Sequence, residues 1–197
     1  MYYMQNIGIV HRDLKSANVL LETIPFGVNK SILRAVVCDF GLARVTHRAI
    51  SVDGQKFKDI GGFSPRYAAP EVLASVAMNL VTDPDADKKS DVYSFAIILW
   101  EMLARATPWA GLKREEIEPK VRSGVRVRPS LFFLLEFFFF GQVFQYSFLS
   151  LQPPVPADDG ADPAKNILID MMTSCWQENP AFRPSFEQIS SKIASLL

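Results

Sequence analysis

Two short apolar runs stand near the start of the chain, residues 17–21 (ANVLL) and 34–38 (RAVVC). Both are rich in Val and Leu and short for a helix, so they predict two strands joined by a loop carrying Pro25 and Gly27. Residues 44–66 are polar and hold Gly54, Gly61, Gly62 and Pro65, which predicts a long loop. A structureless loop of that length inside a compact domain is usually functional. Residues 71–78 read as a short helix opened by Pro70 and Glu71. From Ser90 or Asp91, either of which can cap a helix, residues 90–103 are apolar at almost every position. That pattern predicts a helix buried on most sides, yet well short of the roughly 20 residues that cross a bilayer. Residues 113–123 predict a charged surface helix. Residues 166–177 and 185–196 predict two amphipathic helices separated by a loop at 178–184. The expected class is mainly α (α+β), with one small β-hairpin.

Composition narrows the function classes. The chain has 197 residues, of which 49 % are apolar, enough for a real core in one domain or in one domain and part of another. Lys+Arg and Asp+Glu are both 21, which leaves no electrostatic footprint for nucleic acid or an anionic membrane surface. The only cysteines are Cys38 and Cys175, far apart in sequence. They exclude a disulfide scaffold and a zinc ribbon and fit a reducing compartment. Cys38 reads as a buried strand cysteine. The first 13 residues carry no basic flank followed by an apolar run, so no secretory signal is visible.

The chemistry concentrates in His11-Arg12-Asp13-Leu14-Lys15-Ser16-Ala17-Asn18. Asp13 and Asn18 sit on a loop leading into the first predicted strand. A carboxylate there can accept a hydroxyl proton, and an amide oxygen can ligate a hard cation. Asp39-Phe40-Gly41 follows at the end of the second strand, and a hairpin brings Asp39 back beside Asn18. Two oxygen ligands from neighbouring strand ends suit Mg²⁺ shared with phosphate oxygens. Gly41 permits a sharp turn after the second ligand. Ala69-Pro70-Glu71 closes the long loop.

These three motifs, in this order, resemble those of the protein kinase family. The later residues Asp91-Val92-Tyr93-Ser94-Phe95, Pro108-Trp109, Cys175-Trp176, Asn179-Pro180 and Arg183-Pro184-Ser185-Phe186 are similar to its tyrosine-kinase-like group. The resemblance covers residues 1–126 and 153–197 and implies the large C-terminal lobe of a kinase. It implies that Asp13 is the catalytic base, that Asn18 and Asp39 hold Mg²⁺, and that Lys15 lies near the γ-phosphate of ATP. Arg12 resembles the arginine that pairs with an activation-loop phosphate, for which Ser51 or Thr46 is a candidate. Ser64, seven residues before Glu71, stands where serine/threonine kinases bond a Thr to the base and the lysine. Lys15 and Ser64 together imply Ser/Thr specificity. Glu71 and Arg183 are the expected buried ion pair, Asp91 the expected brace of the catalytic loop, and His11 a core histidine supporting that loop. Phe63 departs from the family, which usually has Gly there.

The implied function is transfer of the γ-phosphate of ATP to a protein Ser or Thr, with ATP and Mg²⁺ as cofactors, a protein substrate as partner, and a cytoplasmic setting. A membrane-receptor parent with a cytoplasmic kinase domain is compatible with it. The alternative is a pseudokinase-like lobe that presents surfaces without catalysis. No G-x-G-x-x-G and no V-A-I-K occurs, and only ten residues precede His11. The small ATP-covering lobe is therefore expected to be absent, as in a fragment or mis-started gene model, and the 197 residues alone to be inactive.

Residues 127–152 are an anomaly inside this partial kinase domain. More than half of the 15 phenylalanines fall between Phe132 and Phe148, and Glu136 is the only charge from Ser130 to Leu151. Hydropathy alone allows a membrane span, but the helices on either side belong to one lobe in the family. Removing the segment joins Arg126 to Pro153 as the Arg-Pro-x-x-Pro stretch that the family carries. Val codons begin with GT, Gln152 can be encoded by CAG, and Phe codons are pyrimidine-rich. The segment thus reads as a translated in-frame intron, expected to loop out of the lobe, with a natural insert as the rival.

Overall fold

The computed structural model describes residues 1–27, 30–45, 62–78, 84–127 and 163–195. In chain order these hold α1 (Tyr2–Asn6), β1 (Ile9–Val10), a 3₁₀ turn (Ser16–Asn18), β2 (Val19–Pro25), β3 (Ser31–Val37) and β4 (Arg44–Val45). Then come α2 (Pro70–Met78), α3 (Pro84–Ala104), α4 (Arg114–Arg122), α5 (Pro163–Cys175), a 3₁₀ turn (Pro180–Phe182) and α6 (Phe186–Ala194). The expected class holds: mostly helix, with two small antiparallel ladders. β2 pairs with β3 from Val19↔Val37 to Pro25↔Ser31, and β1 pairs with β4 through Ile9↔Val45 and Val10↔Arg44.

The core is built around α3. Val92, Ala96 and Ile97 are fully buried, and Tyr93, Leu99, Trp100 and Ala104 nearly so. With apolar residues on every side, α3 must be enclosed, and α5, the 180–182 turn and β1 pack on it. Met171, Met172 and Cys175 from α5 and Trp176 just after it complete that core, with Phe186 and Ile189 from α6. Phe95 meets Phe186 edge-on with ring centroids 5.7 Å apart. Burial pushes the Cys175 thiol up to about 12, so it packs as a small hydrophobe.

Element ends differ from the sequence expectations for physical reasons. α3 begins at Pro84, six residues before Ser90, so Ser90 and Asp91 lie inside the helix and do not cap it. Ser90 Oγ donates to the Asp87 carbonyl at 2.7 Å instead. The first strand begins at Val19 because Ser16–Asn18 form a 3₁₀ turn, and both strands run toward the hairpin tip, to Pro25 and from Ser31. Cys38 lies just past β3 and is partly exposed, not buried within a strand. α6 starts as expected at Ser185, whose Oγ accepts from Gln188 N at 3.2 Å while Gln188 Oε1 accepts from Ser185 N at 2.7 Å.

Val127, the first residue of the Phe-rich segment, is fully buried in the core. Residues 128–152 and Pro153 lie outside the described residues, as do Thr46 and Ser51 in the long loop.

Candidate active site

The loop from His11 to Asn18 is pinned from below by α3. Asp91, 1 % exposed, accepts the backbone N–H of His11 at 2.8 Å and of Arg12 at 2.9 Å. Burial raises its carboxyl to about 6, against the opposing pull of those two N–H groups and of His11. Arg12 has φ 68°, in the left-handed region where a bulky side chain is strained, and the paired N–H groups offset that cost. His11 is fully buried with Nε2 3.0 Å from the Cys38 carbonyl oxygen, and its ring lies 5.1 Å from that of Phe40. It is the loop-supporting core histidine that the sequence suggested. Leu14, 2 % exposed, anchors the loop in the core.

This bracing gathers three of the four candidate residues. Lys15 Nζ lies 2.6 Å from Asp13 Oδ2 and 3.0 Å from Ser64 Oγ. The Ser64 backbone N–H donates to Asp13 Oδ1 at 2.9 Å. Asn18 Nδ2 donates to the Asp13 carbonyl at 2.8 Å. Both carboxylate oxygens of Asp13 are thus held, one by the loop before α2 and one by a lysine. Asp13 is 8 % and Asn18 5 % exposed, so neither is free to reorient.

Asp39, the fourth, follows β3, where Cys38 N donates to the Asn18 carbonyl at 2.9 Å, so the two strand ends are joined. Asp39 is exposed and has φ 63°. Its Oδ1 accepts from Gly41 N at 3.4 Å, and a Cβ at residue 41 would lie 3.3 Å from that oxygen, which is why a glycine fits there. The donor set suits Mg²⁺. The Asn18 amide, fixed by its N–H bond to Asp13, leaves its oxygen available, and Asp39 presents a carboxylate on the adjacent strand end. Among the described residues no cluster of three or more His, Cys, Asp or Glu could hold a metal. Two oxygen ligands match a cation that keeps its remaining positions for water and phosphate.

The floor of the site is tied down further. Tyr67 Oη donates to Glu101 at 2.9 Å and lies 3.1 Å from Ser16 Oγ, and burial pushes its phenol up to about 12. Arg66 donates to the carbonyls of Pro108, Trp109 and Leu112. Phe63 lies under the Arg114 guanidinium, 4.8 Å from ring centroid to Cζ. Arg183 and Glu71 form the expected pair, bidentate at 2.6 and 2.9 Å, with Arg183 buried and Glu71 partly exposed rather than buried. Sequence reasoning missed Asp87 and Arg44: Asp87 Oδ2 lies 4.0 Å from Arg12 Nε and 3.8 Å from Arg44 Nη1. The i, i+4 spacing of Asp87 and Asp91 was the available signal.

The protein kinase domain model matches residues 1–193, and the chain belongs to the protein kinase family. It is similar to a "Probable serine/threonine-protein kinase" of Dictyostelium discoideum, 30 % identical over 196 residues that cover 100 % of this chain and 10 % of the relative. It is similar to the TGF-beta receptor type-2 of Mus musculus, 32 % identical over 190 residues, 95 % of this chain and 30 % of the receptor. The "Dual specificity protein kinase shkA" of D. discoideum is 29 % identical over 196 residues, 99 % of this chain and 28 % of that kinase. The chain thus spans less than a third of the length of these curated relatives. No helix among the described residues is long and apolar enough to cross a membrane.

Proposed function

We propose that this chain supplies the large lobe of a serine/threonine protein kinase and that its loop at 11–18 carries out transfer of the γ-phosphate of ATP to a protein hydroxyl. The observation that carries the reading is the Asp13 carboxylate held between Lys15 Nζ and the Ser64 N–H. In this role Asp13 accepts the proton of the attacking Ser or Thr hydroxyl. Lys15, 2.6 Å from the base, sits where it can also face the transferred phosphoryl group. Asn18 and Asp39 would hold Mg²⁺, which supplies charge neutralisation on the phosphate oxygens when bound. Ser64 fixes the loop on which the substrate segment rests. Ser/Thr specificity is supported by the contact of Lys15 with Ser64 at 3.0 Å. One similar relative is named a dual-specificity kinase, so the acceptor assay sets a Tyr peptide against Ser and Thr peptides, and transfer to the Ser and Thr peptides alone is expected.

Positioning is most of phosphoryl-transfer catalysis, and the 197 residues hold neither a glycine-rich phosphate cover nor a V-A-I-K strand. On its own the chain is expected to bind Mg²⁺–ATP weakly and to transfer no appreciable phosphate. Robust phosphorylation of a generic substrate by the purified 197 residues would contradict that expectation.

The roles are tested in a polypeptide that joins these residues to such a cover. Asp13→Ala should lower kcat by about 10² to 10⁴-fold with nucleotide affinity kept, because a base acts on the acceptor. Asp39→Ala should weaken Mg²⁺–nucleotide binding. Equal loss of nucleotide affinity in both variants would refute the division of roles.

A further inference from the structure

Phe63 stands where the family usually has Gly, directly before the serine that holds the candidate base. The Ser64 N–H donates to Asp13 Oδ1 at 2.9 Å, and Ser64 Oγ lies 3.0 Å from Lys15 Nζ. A glycine at position 63 would bring no side chain to this junction and would leave its backbone at its freest. Phe63 brings a ring instead, partly buried and packed against the core. The Arg114 guanidinium, at the start of α4, lies over that ring with Cζ 4.8 Å from the centroid.

Arg114 is itself oriented. Its Nε donates to Glu118 Oε1, one turn further along α4. On the other side of Ser64 the chain has a second attachment. Arg66 Nη1 donates to the carbonyls of Pro108 and Trp109 and Nη2 to that of Leu112, in the stretch that leads into α4. Between the two attachments the packing is open: a cavity of about 450 Å³ separates Pro65 and Arg66 from Leu112 and Ile117. Direct burial therefore does not fasten the segment to α4 there. A cation over an aromatic face can, because the ring's negative face attracts the guanidinium.

We infer that Phe63 and Arg114 form a staple between the loop before α2 and α4, and that this staple keeps Ser64 against Asp13 and Lys15. Phe63 and Arg114 are then positioning residues, which act on the carboxylate of Asp13 through the Ser64 N–H. Their role rests on the reading of Asp13 as the base, but the hold on Asp13 is measured without phosphate transfer, so either can fail while the other stands.

The test is backbone amide hydrogen exchange in the 197-residue chain, followed by NMR. The Ser64 amide reports the staple. The His11 and Arg12 amides, held by Asp91 of α3, report the rest of the site. Phe63→Leu keeps an apolar side chain and removes the aromatic face. It should speed Ser64 exchange about three-fold or more relative to His11 and Arg12. Arg114→Gln, at a side chain 40 % exposed, should do the same and carries the test if the leucine variant does not fold. The double variant should be no faster than either single one, since both remove one contact. Phe63→Tyr keeps the ring and should exchange as the wild type does. Equal acceleration of all three amides would overturn the inference, as would a Ser64 amide unmoved in the folded single variants. A Phe63→Tyr variant as fast as Phe63→Leu would overturn it too.

Discussion

α3 and the β2–β3 hairpin carry similar apolar residues and end in opposite surroundings. On α3, Val92, Ala96 and Ile97 are fully buried. On the hairpin, Leu20, Leu21, Ile32 and Leu33 are 55 %, 66 %, 50 % and 67 % exposed. Hydropathy does not separate them; the neighbours do. α3 is enclosed by α5, β1 and the 180–182 turn, whereas among the described residues the two hairpin strands pair only with each other. The polar groups follow suit. Ser90, Ser94, Asp87 and Asp91 are buried on α3, each with a stated partner, while the hairpin shows an exposed Glu22–Arg34 pair at 2.6 Å, of a kind worth about 0–1 kcal/mol. The difference teaches that, among the described residues, the candidate site is packed on its α3 side and held on its hairpin side only through the strand ends at Asn18 and Cys38.

The sharpest way to break that comparison is to remove a strut on the packed side. Arg183 is 1 % exposed, pairs with Glu71, donates to the carbonyls of Gln177, Glu178 and Lys89, and stacks on Tyr93 of α3 with Cζ 5.2 Å from the ring. Arg183→Ala leaves a carboxylate and three carbonyls without their donor and should cost about 3–5 kcal/mol by urea unfolding. A loss under about 1 kcal/mol would mean that the α3 side is not held as described.

Asp91→Asn should show a smaller, pH-dependent effect. The folded carboxyl titrates near 6, above its unfolded value of about 3.9, so the native state binds the extra proton between them. This contribution is fully present below about pH 4 and is lost as pH rises through about 6, a change on the order of 2–3 kcal/mol. Asparagine does not titrate. The wild-type minus variant stability should therefore fall between pH 4 and 7, and a flat difference would remove burial as the dominant influence on Asp91.

Tyr67→Phe deletes one hydrogen bond, to Glu101, and one contact, with Ser16, beneath the site. About 1 kcal/mol is expected, read from the same unfolding curves. The smallest effect belongs to the hairpin. Leu21→Ser and Leu33→Ser should each change stability by about 0.5 kcal/mol or less, as surface substitutions do. Costs above about 1.5 kcal/mol would show that those side chains are covered in solution.

The same contrast governs what could be read from sequence. The interior of α3 was legible because its apolar run admits one explanation. Its first six residues were not, because Asp85, Asp87, Lys88 and Lys89 look like a solvated loop until the loop at 11–12 is seen beside Asp87 and Asp91. The strand start was misread because Ala17 and Asn18 directly precede the apolar Val19-Leu20-Leu21 but turn in a 3₁₀ geometry that holds Asn18 against Asp13. Asp13, Lys15, Asn18 and Asp39 were legible as motif residues, since local spacing records them. Arg44 and Asp87 were not, because their meeting is 43 residues apart in sequence and wholly tertiary.

The central claim is that Asn18 and Asp39 form a cation site beside a held Asp13. Paramagnetic broadening by Mn²⁺ in the presence of ATP, followed by NMR on the 197-residue chain, tests it most directly, because weak binding suffices. Broadening should begin at the Asn18 side-chain amide and the Asp39 backbone amide, and Asp39→Ala should abolish it at Asn18. Broadening that spares both residues, or that persists at Asn18 in the variant, would contradict the account.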